Sequence, residues 1–332
     1  SLAQLVQLLI ELAEADSNIT QALRGHFAFV EDRLNAEPGP GRDRWLRRFV
    51  EGDLVGCAWT EVGSVRLGEV LTRVSRKDDG RWVVNGSKYY STGSLFSDWI
   101  DLYAQRDDTG ADVIAAIRTD QPGVRQSDDW DGFGQRTTAS GTVILDNVRV
   151  PAEHVIPVHR AFDRPTAAGA VSQFIQAAID AGIARGILAE TVQQVRRHAR
   201  PWIDANQQHA WEDPYTIQQV GDLRIRVRAA EAVLDLAADA IEAALAAPDE
   251  ESVAAASIAV AEAKVLSTEI SLAASEKLFE LAGSRATLAE FNLDRHWRNA
   301  RTHTLHDPVR WKVHAVGDYY LNGARPARHS WI

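Results

Sequence analysis

The 332-residue chain contains no methionine and a single cysteine, Cys57. One thiol excludes an internal disulfide framework and any CxxC metal or redox motif. Positive charge is also scarce: 36 Lys and Arg stand against 46 Asp and Glu, a formal net charge of −10. That balance speaks against nucleic acid and against an anionic membrane surface as partners. No apolar run reaches spanning length, and no charged-then-apolar signal segment opens the sequence. The expected location is cytoplasmic. The first residues already lie inside an apolar helical pattern, as they would in a chain lacking an N-terminal segment. What is abundant is tryptophan, and ten indoles favour aromatic-lined pockets or interfaces.

The length exceeds the usual single core, so two or three structural units are expected. Leu5, Leu8, Leu9 and Leu12 recur at helical spacing, and Asp16-Ser17 predicts the cap of a second helix running to about Leu34. The Pro/Gly-rich stretch 37–41 ends it, and Trp45 to Val50 forms a short amphipathic piece. The pattern then changes to short β-rich runs: Val70 to Val74, Trp82 to Val84, Lys88 to Thr92, Trp99 to Ala104, Asp112 to Arg118 and Gly141 to Leu145. Asp79-Gly80 and Asn85-Gly86 between such runs predict hairpin turns. With no helices intervening, this stretch reads as an antiparallel β-barrel or sandwich.

From Gly169 onward helical signals return. One helix is expected from Ser172 to Ala199. A second has Asp213 as cap and Pro214 at its first position, with Leu223, Val227, Ala230, Leu234, Ala237 and Ile241 inward. Its Glu231, Asp235 and Glu242 read as a solvated face. A third runs from Pro248-Asp249 to a stop at Gly283. The fold class is therefore α+β and multidomain: N-terminal helices (1–52), a central antiparallel β-domain (53–157) and a C-terminal four-helix-bundle domain (158–332).

Two segments carry chemistry. Trp82 to Gly93, WVVNGSKYYSTG, ends in an aromatic, a hydroxyl and a glycine, so a planar ring can lie flat there and receive one hydrogen bond. A plain hairpin is the alternative reading. Asp294 to Pro308, DRHWRNARTHTLHDP, packs imidazole, guanidinium and indole groups into a span that makes poor apolar core. It suits a wet cleft for an anionic or aromatic ligand, and Asp307 is expected to cap a helix that starts at Pro308. A metal site at His303, His306 and Asp307 is disfavoured, since no cysteine partner exists and a proline follows at once. Gly132-Phe133-Gly134 resembles a dinucleotide loop superficially, but it neither follows a buried strand nor opens a helix.

The first segment resembles the acyl-CoA dehydrogenase superfamily, whose W-x-(I/L)-N-G-x-K-x-(W/F/Y)-(I/S)-T pattern sets an aromatic and a Thr beside a flavin ring. The resemblance extends over essentially the whole chain, with the family's first helices missing. By position those two residues are Tyr90 and Thr92. Ala58-Trp59-Thr60-Glu61-Val62-Gly63-Ser64 resembles the family's flavin and substrate loop, which implies roles for Trp59 and Ser64. The dehydrogenases usually carry Y-E-G-T after an R-D pair, and its Glu is the base. The matching register here reads His303-Thr304-Leu305-His306, without a carboxylate.

The second segment, together with Arg200-Pro201-Trp202, resembles the flavin-dependent monooxygenase branch, that is, dibenzothiophene monooxygenases and related sulfur-acquisition oxidoreductases. That resemblance implies FMN, delivered reduced by a separate flavin reductase because no NAD(P)H-binding unit is visible. It further implies a C4a-hydroperoxyflavin and a small organosulfur or related heteroatom substrate. His303 and His306 would line the pocket and Arg200 would support the FMN phosphate, with Trp130, Arg285 and His26 as further pocket candidates. A satisfied structural histidine is the alternative for His303, and a surface ion pair for Arg200. A homotetramer built on the helical domain is also implied. Two other activities remain open: an FAD-dependent acyl-CoA dehydrogenase with a displaced base, and a non-catalytic flavin-binding relative.

Overall fold

The computed structural model describes residues 1–62, 69–158 and 161–332. It divides into two compact units. One comprises Ser1–Thr20, Gly132–Gln135 and Thr166–Ile332, and the other comprises Gln21–Asp131 and Arg136–Pro165.

The β-rich unit holds the end of α1 (Leu2–Leu34), α2 (Pro40–Glu51) and eight strands: β1 (Val55–Ala58), β2 (Arg73–Arg76), β3 (Trp82–Lys88), β4 (Trp99–Arg106), β5 (Asp112–Arg118), β6 (Val124–Ser127), β7 (Thr142–Val150) and β8 (Val155–Pro157). They form one curled sheet in the order β6-β7-β3-β2-β4-β5-β8, with β1 also on β4. The sheet is mixed rather than purely antiparallel, because β1 and β2 both run parallel to β4. Ile100, Leu102 and Ala104 of β4 meet Val113, Ala115 and Ile117 of β5 on the inner face. Trp99, Ile114 and Ala116 point the other way, onto Phe29 and Trp45 from the helices. Burial on both faces explains why β5 reads as a continuous apolar run instead of an alternating one.

The Asp79-Gly80 turn joins β2 and β3 as expected. Asn85-Gly86 does not turn the chain. It lies inside β3 as a bulge, where the register against β7 slips between Val84 and Gly86. A Cβ on Gly86 would sit 2.4 Å from Thr72 Oγ1, so the close approach of the segment entering β2 requires glycine. The expected strand Lys88 to Thr92 is likewise replaced by the end of β3 and a turn.

The helical unit contains α3 (Ala168–Arg197), α4 (Pro214–Ala246), α5 (Glu250–Ala282), α6 (Asp294–His303) and α7 (Arg310–Asn322), with the start of α1. α1 is kinked at Asp16, whose carboxylate accepts from the Asn18 amide at 2.8 Å. Asp213 caps α4 through the Tyr215 amide, and Asp249 and Ser252 form a reciprocal capping box on α5. The six apolar positions foreseen on α4 are all buried. Its acidic face is less solvated than its composition suggests: Glu231 is buried 3.7 Å from Arg185, and Glu242 accepts from the Leu2 amide at 2.6 Å. α7 begins without a side-chain cap, so Asp307 does not have the capping role expected of it.

Candidate flavin and pocket residues

In the β-rich unit, the turn after β3 is pinned from below by a buried ion pair. Lys88 donates to Glu61 Oε1 at 2.6 Å and to the Trp59 carbonyl at 3.3 Å. Glu61 also accepts from the Leu71 and Thr72 amides at 2.7 and 2.9 Å. Burial alone would raise the Glu61 pKa, but Lys88, Thr72 and these amides outweigh it and lower the value. Above this base the chain reverses sharply. Tyr90 takes φ 55°, the Thr92 amide donates to the Tyr90 carbonyl at 2.8 Å, and Gly93 takes φ 78°. A Cβ on Gly93 would lie 2.1 Å from the Ala22 carbonyl oxygen, which makes glycine obligatory there.

The reversal buries the Thr92 hydroxyl and turns the Tyr90 ring out, 46% exposed. Thr92 Oγ1 lies 2.9 Å from Ser140 Oγ, which lies 2.7 Å from Thr138 Oγ1, a run of three buried hydroxyls. The Ser91 hydroxyl beside them is buried and has no hydrogen-bond partner among the described residues. The Tyr90 ring stands edge-on to Trp130 at 5.8 Å, so these two residues are brought together. An exposed aromatic ring in the same turn as buried hydroxyls, one of them unsatisfied, fits a planar heteroaromatic group such as flavin.

Trp59 is committed elsewhere: its indole N–H donates to Asp101 at 3.0 Å and its ring stacks on Tyr103 at 5.2 Å. Burial pushes the Asp101 carboxyl up to about 7. Ser64 lies outside the described residues. His26 accepts the Val55 amide proton at Nδ1, 3.3 Å away, with Phe27 and Phe49 edge-on to its ring. A backbone N–H can only donate, so neutral His26 carries its own proton on Nε2 and is a hydrogen-bond donor there. Burial lowers its pKa, which favours that neutral form.

In the helical unit, His303 and His306 sit in different environments. His303 is fully buried with Nδ1 2.5 Å from Asp180 Oδ1, while Asp180 Oδ2 accepts from Lys264 Nζ at 2.7 Å and Thr268 Oγ1 at 3.1 Å. Burial would raise the Asp180 pKa, but Lys264 and His303 outweigh it and bring it to about 2. His306 is part-exposed, with Nδ1 3.3 Å from Asp307 Oδ1. Arg200 and Arg285 are exposed, and neither makes an ion pair among the described residues. Arg285 covers the Phe291 ring at 5.0 Å, and His198, two residues before Arg200, reaches the same ring at 5.6 Å.

Reading from the sequence alone missed two groups here. Asp180 and Lys264 are charged residues among the buried positions of α3 and α5, and Asp180 directly follows the apolar run Ala177 to Ile179, which was the available signal. The loop 132–135 carries no sequence signal beyond a superficial dinucleotide-loop likeness. In fact Phe133 stacks on Trp297 at 5.7 Å, the Gln135 amide donates to Asn299 at 2.8 Å, and Arg298 donates to the Phe133 carbonyl at 3.1 Å. Much of the Arg/Trp/Asn density of α6 therefore holds a loop. Among the described residues no group of three or more His, Cys, Asp or Glu side chains is placed to hold a metal ion.

The architecture and these sites define a flavin-dependent oxidoreductase of the acyl-CoA dehydrogenase type. Residues 56–148 match the acyl-CoA dehydrogenase middle domain and residues 174–311 its C-terminal domain. The chain belongs to this family, and its homologues are flavin-dependent monooxygenases. It is 35% identical over 300 residues to the dibenzothiophene monooxygenase of Mycolicibacterium goodii, covering 86% of this chain and 72% of that one. It is 31% identical over 328 residues to the probable FMNH2-dependent monooxygenase SfnC of Pseudomonas putida, covering 96% and 80%. Its fold superposes with a TM-score of 0.93 on TdsC from Paenibacillus sp. A11-2, crystallised with FMN and indole, at 30% identity over 100% of this chain and 86% of that one.

Proposed function

We propose that this protein is an FMNH2-dependent monooxygenase that places one atom of O2 on a small organosulfur or related heteroatom compound, the other atom leaving as water. The observation that carries the reading is the state of the one carboxylate in the run 300–308. Asp307 is 5% exposed and lies beside Lys312 and His306, so it is poorly placed to abstract a substrate proton as a dehydrogenase base must. What the run offers in its place is the part-exposed imidazole of His306.

Bound FMNH2 would supply the two electrons that activate O2. Tyr90 would stack on the isoalloxazine, Trp130, edge-on to Tyr90, would help shield it from water, and Thr92 would hydrogen-bond its edge. In the helical unit, Arg200 and Arg285 are the candidates for a flavin phosphate. His26 would contribute a neutral N–H. A separate reductase would deliver the reduced flavin, and a homotetramer assembled through the helical unit belongs to the same reading. The exposed Ile217, Ile225 and Leu236 of α4 support that assembly.

The test supplies chemically reduced FMN and ¹⁸O2 with a panel of sulfides, sulfoxides and sulfinates, and mass spectrometry follows the label. One ¹⁸O per product supports the proposal. Reduction of bound flavin by an acyl-CoA under anaerobic conditions, without labelled product, would replace it with a dehydrogenase.

A further inference from the structure

Asp307 precedes a proline and a helix, yet α7 starts without a side-chain cap, which leaves the carboxylate free for another task. Its side chain is 6% exposed, and Lys312 Nζ lies 3.6 Å from Oδ2. Lys312 is itself tethered through a hydrogen bond to the Trp331 carbonyl. Burial would raise the Asp307 pKa, but the His306 hydrogen bond and the Lys264 and Lys312 ammoniums hold it well below the ordinary carboxylate range. Asp307 is therefore an anion, and a carboxylate anion can only accept hydrogen bonds.

We propose that Asp307 is a positioning residue for His306: it orients the imidazole and keeps a proton on Nδ1, so that Nε2 is the acceptor of the neutral ring. The contact that requires this is Nδ1 to Oδ1 at 3.3 Å. Among the described residues, the charged and titratable groups linked to the pair include Lys312 from α7, Lys264 from α5, Asp180 from α3 and His303 from α6. Lys264 lies 2.7 Å from Asp180 and Lys312 3.6 Å from Asp307, so each carboxylate has an ammonium beside it, and His306 is the imidazole in contact with Asp307. The ring takes a proton at Nε2 and returns it while Asp307 stays ionised, a division of labour like that of a carboxylate-supported histidine in acyl transfer. His26 is set the opposite way, with the amide of Val55 on Nδ1 and the proton on Nε2. One histidine is thus a built-in acceptor and the other a built-in donor.

The inference rests on the monooxygenase reading for its relevance to turnover, but the tautomer can be measured without flavin. Histidine-labelled full-length protein is examined by long-range ¹H–¹⁵N NMR across pH, with His306→Gln used for assignment. The expected result is an Nδ1–H tautomer for neutral His306 and, in Asp307→Asn, an apparent pKa lower by about 1 unit or more. Asp307→Glu should recover most of that shift. An Nε2–H tautomer in the unmodified protein, or an unchanged pKa in Asp307→Asn, would overturn the proposal. If the variants fail to fold, the tautomer in the unmodified protein alone decides. In turnover assays the acid limb of kcat/KM should move to lower pH in Asp307→Asn, whereas a purely structural role would lower the whole profile without moving it. Absence of oxygenation in the unmodified enzyme would defeat the monooxygenase reading and leave the tautomer result standing.

Discussion

His303 Nδ1 lies 2.5 Å from Asp180 Oδ1, and neither side chain is exposed to solvent. The pair ties α6 to α3, and through Lys264, 2.7 Å from the same carboxylate, to α5. A buried anion paired with an ammonium and hydrogen-bonded to an imidazole stabilises only while it is charged, and removing it strands both partners in a dry interior. Asp180→Ala should therefore lower unfolding stability by about 3–5 kcal/mol, as read from urea or thermal melts. The pH dependence has a definite sign. The folded pKa of about 2 lies below the ordinary 3.8. The contribution of Asp180 is complete above the unfolded value and is lost as pH falls from near 4 through about 2. Melts of Asp180→Asn should show a shallower loss of stability in that window than the unmodified protein.

The hydroxyl run Thr138–Ser140–Thr92 predicts a split between stability and coupling. Thr92→Val keeps the shape of the side chain and removes its donor. It should cost about 1 kcal/mol of stability while increasing H2O2 released per oxygenated product several-fold. Ser140→Ala should change coupling in the same direction by a smaller factor. If H2O2 release and product yield stay unchanged in Thr92→Val, that hydroxyl has no part in the reaction.

Arg200 and Arg285 are exposed and make no ion pair among the described residues, so truncating them costs the fold little. Arg200→Ala and Arg285→Ala should leave the melting temperature within about 1 °C of the unmodified protein. Each should weaken FMN binding about tenfold or more, consistent with the loss of one charge-assisted hydrogen bond. Fluorescence titration of FMN provides the measurement, and riboflavin, which has no phosphate, should be insensitive to both changes.

Gly134 packs so closely on α6 that a Cβ would sit 2.0 Å from the Arg298 carbonyl oxygen. Backbone cannot yield as a flexible side chain would. Gly134→Ala should push the 132–135 loop off Trp297 and Asn299, with a stability loss on the order of 2 kcal/mol and a change in tryptophan fluorescence. A neutral melt and an unchanged spectrum would mean that the loop is not clasped by α6.

Those four expectations draw on features of unequal visibility in the sequence. Capping residues announced the helix starts at Asp16, Asp213 and Asp249, because an N-cap is a local interaction between a side chain and amides two or three residues on. The α4 seam was equally legible, since helical periodicity repeats within one element. Asn85-Gly86 misled, because the same dipeptide that favours a two-residue turn also tolerates a bulge, and the choice fell to Thr72, the residue just before β2. Asp307 misled for a similar reason: its local chance to cap α7 lost to Lys312 and His306.

The order of helical and β segments, the aromatic-hydroxyl-glycine motif at Tyr90 to Gly93 and the missing carboxylate between His303 and His306 were set by sequence alone. These are properties of neighbouring residues or of a motif in register. What only the tertiary structure decided is which atoms of those residues remain available. It assigned His303 to a buried carboxylate and left His306 part-exposed, and it opposed the tautomers of His26 and His306. Those outcomes depend on Asp180, Val55 and Asp307. Two of the three lie far along the chain from their histidines, and burial, which sequence spacing does not encode, determines the charge each one carries.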